Sequence, residues 1–137
     1  MRVIVAIVFL VLTGAVLTGM GNMGGTPEGA VPNTAENIKV LLVDRTGVST
    51  ELSRFSMDGK VFLEGGLGEG TMSVNFPDIK EVNFGTVTGD MISADLQLIS
   101  GRRLRLYLPK VIVCYGETGI GAYKISVQKI SRIVFRK

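Results

Sequence analysis

The sequence predicts an all-β protein, a duplicated unit of about five short strands packed as a β-sandwich or as paired small barrels, behind an N-terminal apolar signal or anchor segment. Three observations predict it. Apolar residues alternate with polar ones along most of the chain, and no stretch sustains a period of 3.6. Eighteen glycines stand against four prolines, the balance of many tight turns between short strands. One apolar pattern recurs 51 residues later.

The recurrence is clearest between Ser73–Phe84 and Lys124–Phe135. Val74 matches Ile125, Phe76 matches Val127, Ile79 matches Ile130, Val82 matches Ile133, and Phe84 matches Phe135. The same spacing aligns Val61 with Ile112 and Phe62 with Val113. It also aligns Gly65, Gly68 and Gly70 with Gly116, Gly119 and Gly121. Further upstream a three-residue gap sets Gly47 opposite Gly101. Two copies make a duplication and fall short of a solenoid. The closing pattern resembles that of small Sm-like or SH3-like barrels only in general form and identifies no family.

Taken in order, residues 1–21 read as a signal peptide or membrane anchor. Arg2 is followed by an uncharged run from Val3 to Met20, then by small residues through Gly25. The run is broken by Thr13, Gly14, Thr18 and Gly19, which favours cleavage over a retained span. Leu17-Thr18-Gly19 would begin a lipoprotein signal if a Cys followed, but Met20 does, so no lipidation is expected. Residues 22–37 read as a flexible linker, with Pro27, Pro32, Asn33 and Asn37 and no apolar period. The all-β domain is expected at 38–137, with one copy at 38–85 and the second at 91–137.

In the first copy Ile38, Val40 and Leu42 mark a strand ending at the Thr46-Gly47 turn. Thr50–Met57 runs to Asp58-Gly59, a strong hairpin signal. Lys60–Glu64 is a strand, Gly65–Gly70 a loop, and Thr71–Phe76 a strand interrupted by Pro77. Ile79, Val82 and Phe84 predict a tight turn and a closing strand, with Gly85–Asp90 as the hinge between copies. In the second copy Ile92, Ala94, Leu96 and Leu98 share a face, as do Leu104, Leu106 and Leu108 after Ser100-Gly101. Val111–Tyr115, Ala122–Val127 and Ile130–Phe135 complete it.

Residue types the chain lacks bound its chemistry. It has no His, so no Ser–His–Asp triad and no imidazole proton shuttle. Its single Cys, Cys114, can form neither an intrachain disulfide nor a Cys/His zinc site. Cys114 sits in an apolar strand and reads as a small buried residue. The Gly65–Gly70 run lacks the Lys-Ser/Thr and the helix N-terminus of a phosphate loop. Its recurrence in the second copy points instead to turns that need positive φ. Glu64, Glu69, Asp78, Asp90 and Glu117 lie near loops, the raw material of a carboxylate-dependent hydrolase, without a visible pairing. No enzyme activity, cofactor or metal is expected.

Charge is the sharpest functional signal. Residues 38–85 carry five basic and seven acidic side chains, a net of −2; residues 91–137 carry nine and two, a net of +7. Arg103, Arg105 and Tyr107 alternate with buried leucines, and Arg102 and Lys110 flank them. These five form the candidate binding stripe. The leading expectation is a non-enzymatic exported binding or structural protein of the bacterial cell envelope, in the periplasm or on the envelope. Its basic half would face an anionic polymer or an acidic protein surface. Nucleic acid is not an expected partner of an exported protein. Membrane contact would come only through uncleaved residues 1–21, which would leave an inner-membrane anchor with the β domain outside the cytoplasm. The alternatives are a self-associating β module, forming a homo-oligomer through its strand edges, and a small carboxylate-dependent hydrolase.

Overall fold

In a computed structural model, residues 36–136 are described; the expected signal or anchor segment at 1–21 and most of the expected linker lie outside them. The described residues form an all-β protein, a curled antiparallel sheet of ten strands. In chain order these are β1 (Val40–Asp44), β2 (Ser49–Met57), β3 (Phe62–Leu67), β4 (Gly70–Asn75), β5 (Ile79–Thr88), β6 (Met91–Leu98), β7 (Arg103–Pro109), β8 (Val113–Glu117), β9 (Ala122–Ser126) and β10 (Ile130–Phe135). Single 3-10 turns, Phe76–Asp78 and Val127–Lys129, join β4 to β5 and β9 to β10. The first carries Pro77, whose missing N–H is harmless in an opening turn.

The period-two pattern sends alternate side chains inward. Val40 and Leu42, Ile92 and Ala94, and Leu106 and Leu108 are fully buried, in one continuous cluster. Phe55, Phe76 and Phe135 meet at one end of it, with ring centroids 5.0–6.0 Å apart in the tilted and edge-on arrangements aromatic rings prefer.

The sheet order is β4-β3-β7-β6-β5-β10-β1-β2-β8-β9. β2 pairs with β8, and β3 with β7, so each end of the sheet mixes strands from early and late in the chain. The order is also symmetrical. Exchanging each strand for the one five places away in chain order turns either end of the list into the other. Hydrogen bonds recur in the same way. Phe76 N–H donates to the Val61 carbonyl at 3.2 Å, and Val127 N–H to the Ile112 carbonyl at 2.9 Å. Ile99 N–H donates to Asp78 and Arg45 N–H to Lys129, at 2.9 and 3.0 Å.

Several local expectations change. Asp58-Gly59 does form a two-residue turn with both φ positive (53° and 81°), and Met57 and Lys60 exchange two 2.9 Å bonds across it. The strands then part, because β2 turns to β8 and β3 to β7. Gly65 and Gly66 are strand residues, not loop, and the turn is confined to Gly68-Glu69. Gly85–Asp90 is no hinge. β5 continues to Thr88 and forms a hairpin with β6, with an irregularity between Phe84 and Val87. Of the glycines matched at the 51-residue spacing, Gly68 and Gly119 have positive φ, while Gly65, Gly70, Gly116 and Gly121 do not. Gly65 and Gly116 are needed for space. A Cβ on Gly65 would lie 2.9 Å from Leu106 Cβ, and one on Gly116 would lie 2.9 Å from Leu52 Cβ.

β2 carries a bulge between Ser53 and Ser56, where Arg54 takes φ 51°. The extra residue breaks the alternation, so Phe55, Ser56 and Met57 are buried in succession.

Candidate functional site

β7 exposes Arg103, Arg105 and Tyr107 and turns its leucines inward, as the alternation requires. Arg102 lies in the turn before the strand and Lys110 in the turn after it, where its N–H donates to the Asp90 carbonyl at 2.9 Å. A strand of this length spans about 23 Å at ~3.3 Å per residue, so Arg102 and Lys110 stand at opposite ends. Only Arg103, Arg105 and Tyr107 share one outer face.

Neighbouring strands complete that face with residues that β7 alone does not reveal. One row across the sheet runs Arg132 (β10), Asn83 (β5), Asp95 (β6), Arg105 (β7). The next runs Val134, Glu81, Gln97, Arg103 in the same strands. Arg105 holds Asp95 in a two-point contact, Nε to Oδ1 at 2.6 Å and Nη2 to Oδ2 at 3.2 Å. This pairing, with the nearby Tyr107 hydroxyl, raises the Arg105 pKa above its ordinary value. Both partners are about half exposed, so the pair orders the face more than it stabilises the fold. The Asn83 amide donates to Glu81 at 2.8 Å. Arg103 stands opposite neutral Gln97 and has no ion-pair partner among the described residues. A depression of ≈ 410 Å³ lies over Asn83, Asp95, Gln97, Arg103 and Arg105, with Leu96 and Leu104 also in its lining.

Tyr107 is 46% exposed. It stands opposite Gly66 on one side and Ser93 on the other, so small neighbours leave its ring open. The sequence held a signal for part of this site. Ser93, Asp95 and Gln97 alternate with apolar residues and so share one face of their strand. Their place beside Arg103 and Arg105 follows from the β6–β7 register, and Arg132 joins only through the β5–β10 pairing.

The remaining candidates are engaged or isolated. Burial pushes the Cys114 thiol pKa up, and the side chain is closed to solvent. Asp58 Oδ1 accepts from Val113 N–H at 3.2 Å. Glu64 pairs with Lys60 at 3.7 Å and accepts from the Ser73 hydroxyl at 3.3 Å. The cavity that Asp58 and Glu64 help to line measures only ≈ 40 Å³. Glu69, Asp78, Asp90 and Glu117 are exposed on separate turns and strand ends. Among the described residues no group of three or more His, Cys, Asp or Glu could hold a metal ion. No helix among them is long and apolar enough to cross a membrane.

Comparison with known proteins adds two matches. A family model described as "Uncharacterised protein" matches residues 34–137. An "Uncharacterized protein" of Aquifex aeolicus (strain VF5) is 27% identical over 111 residues, covering 81% of this chain and 83% of its own length. No solved structure matches the chain.

Proposed function

We propose that this chain, which belongs to the family whose model matches residues 34–137, is a non-enzymatic binding module of the bacterial cell envelope whose outer β10–β5–β6–β7 face takes an anionic polymer. The observation that carries the reading is the pair of rows around Arg103 and Arg105. Arg105 is fixed by Asp95, while Arg103 faces an open neutral amide.

The rows also favour one kind of polyanion. Asp95 and Glu81 interleave with the three arginines, so a densely charged chain such as a nucleic acid would meet carboxylates between the cations. A polymer with spaced carboxylates and many hydroxyls fits better. Its anions reach Arg103 and Arg132, its hydroxyls exchange hydrogen bonds with Asn83, Gln97 and Asp95, and the open Tyr107 ring gives an apolar platform. The hydrolase alternative has less support, because Glu64 is paired with Lys60 beside a cavity with room for little more than a water, and Glu69, Asp78, Asp90 and Glu117 lie exposed on separate turns and strand ends.

The architecture belongs to the same reading. The chain is a duplicated unit whose copies exchange strands, supported by the symmetrical sheet order and the matched hydrogen bonds. Residues 1–21 export it.

Retention on an immobilised carboxylated polysaccharide tests the binding. Retention is expected at low salt and is lost toward 1 M, where the screening length falls to ~3 Å. Arg103→Glu is expected to abolish it, and retention that survives the substitution overturns the reading. Intact mass of the protein from an extracytoplasmic fraction tests export. Loss of roughly the first 15–25 residues is expected, and recovery only from the cytoplasm overturns it.

A further inference from the structure

The ten-stranded sheet has two ends, β4 and β9. An edge strand offers a row of unpaired N–H and C=O groups, and proteins commonly block it with a charge, a proline or a bulge. The two edges differ in this respect. β9 carries Lys124 at its centre. The residue 51 positions earlier, in β4, is Ser73. β4 contains no charge and no proline, and it pairs with β3 over all six residues without a bulge. Every residue of β4 except Val74 is exposed.

The faces of β4 are also sorted. Met72 and Val74 stand opposite Gly65 and Leu63, on the side of the core. Thr71, Ser73 and Asn75 point the other way. Met72 is 39% exposed because Gly65 supplies no side chain to cover it.

We infer that β4 pairs with β4 of a second copy of this chain, antiparallel about Ser73, joining two sheets edge to edge. Side chains alternate with period two, so only a register that places like faces together is allowed. With Ser73 opposite its twin, Met72 meets Val74 and Thr71 meets Asn75. Apolar side chains then face apolar ones on both sides of the two-fold, as a self-complementary contact requires. No like charges oppose each other, because β4 has none. Glu64, opposite Ser73 on β3, is paired with Lys60, and the carboxylates that flank the strand, Glu69 and Asp78, lie beyond the paired residues. Equivalent pairing of β9 about its own centre would set Lys124 against Lys124. The occupant is a second copy because the strand is complementary to itself in both polarity and charge.

Size by light scattering over a concentration series, on the full chain as recovered from cells, tests the pairing. Hydrogen exchange is read in parallel. The wild type is expected to form a dimer, with β4 amides gaining protection as concentration rises and β9 amides unchanged. Met72→Lys puts a charge into the apolar contact and is expected to weaken the dimer by about tenfold or more. Lys124→Ser is expected not to weaken it. A wild type that stays monomeric overturns the inference. So does a dimer untouched by Met72→Lys, or protection that appears at β9 instead of β4; the exchange result stands without any variant.

Discussion

Replacing Gly116 by Ala tests the least expected feature of the fold, the passage of β8 along β2. The new Cβ would lie 2.9 Å from Leu52 Cβ, 3.0 Å from its Cδ1 and 3.2 Å from its Cγ. Leu52 Cβ is fixed to the β2 backbone, so a rotamer change relieves only part of the overlap. The strands must part by about 0.5–1 Å to reach an ordinary carbon contact of ~3.5–4.0 Å. Overpacking of this kind costs about 1–3 kcal/mol. For a domain of this size each kcal/mol lowers Tm by about 4–8 °C, so a fall of roughly 4–24 °C is expected. Gly65→Ala should behave alike, since its Cβ would lie 2.9 Å from Leu106 Cβ and 3.0 Å from the Tyr107 carbonyl oxygen, across β3–β7. Gly121→Ala is the control. Nothing lies within 4 Å of its added Cβ, and a change within about 0.5 kcal/mol is expected. The assay is thermal unfolding followed by circular dichroism. If all three variants melt together, β2–β8 and β3–β7 are not packed as described and the sheet order fails with them.

Three further outcomes are expected. Ser56 is fully buried, and its hydroxyl has no hydrogen-bond partner among the described residues. Ser56→Ala should therefore leave stability unchanged or raise it by about 1 kcal/mol, and denaturant unfolding showing a clear loss would disprove this. Asp44 accepts from the Thr46 hydroxyl at 2.6 Å and from the Val48 N–H at 3.0 Å, which lowers its pKa from 3.8. A depressed folded pKa adds stability above the unfolded value and loses it as pH falls through the folded one. Asp44→Asn should thus melt lower than wild type at neutral pH, with the gap closing well below 3.8; a gap constant with pH would show that the carboxylate charge is irrelevant. Cys114, buried and with its thiol pKa raised by burial, should resist a thiol reagent until the protein unfolds. Rapid stoichiometric labelling of the native protein, read by mass, would place it at the surface.

The all-β class was legible because the period-two pattern is local. Leu104, Leu106 and Leu108 announce their strand without help from any partner. The exact lengths were less so. Gly85 and Gly66 look like punctuation, yet each sits in a strand. Gly85 lies against Ser93, whose Oγ an added Cβ would overlap, and Gly66 stands opposite Tyr107. Asp58-Gly59 announced its turn correctly, because positive φ at two successive positions is a local demand. The divergence of β2 and β3 beyond it depends on partners more than forty residues away in sequence, which no local signal encodes. The candidate face follows the same division. Arg103, Arg105 and Tyr107 could be grouped from alternation alone. Asp95 and Glu81, which temper their charge, could be assigned to that face only from the β5–β6–β7 register.

The topology ties that face to the integrity of the whole sheet. Arg132 reaches it through β10, which pairs with β5 on one side and β1 on the other. β5 and β6 supply Asn83, Glu81, Asp95 and Gln97, and β7 supplies the arginines. The row from Arg132 to Arg105 therefore crosses the junction between early and late strands, at the centre of the sheet order. Neither half of the chain can present it alone. Early β1 and β2 are completed by late β10 and β8, and late β6 and β7 by early β5 and β3. A core assembled from both halves holds the strand spacing of the face to that of a packed sheet, ~4.7–4.9 Å. That spacing keeps Arg105 on Asp95 and leaves Arg103 beside an uncharged amide. A ligand that selects for this pattern would then sense the folded whole and would have little affinity for either half.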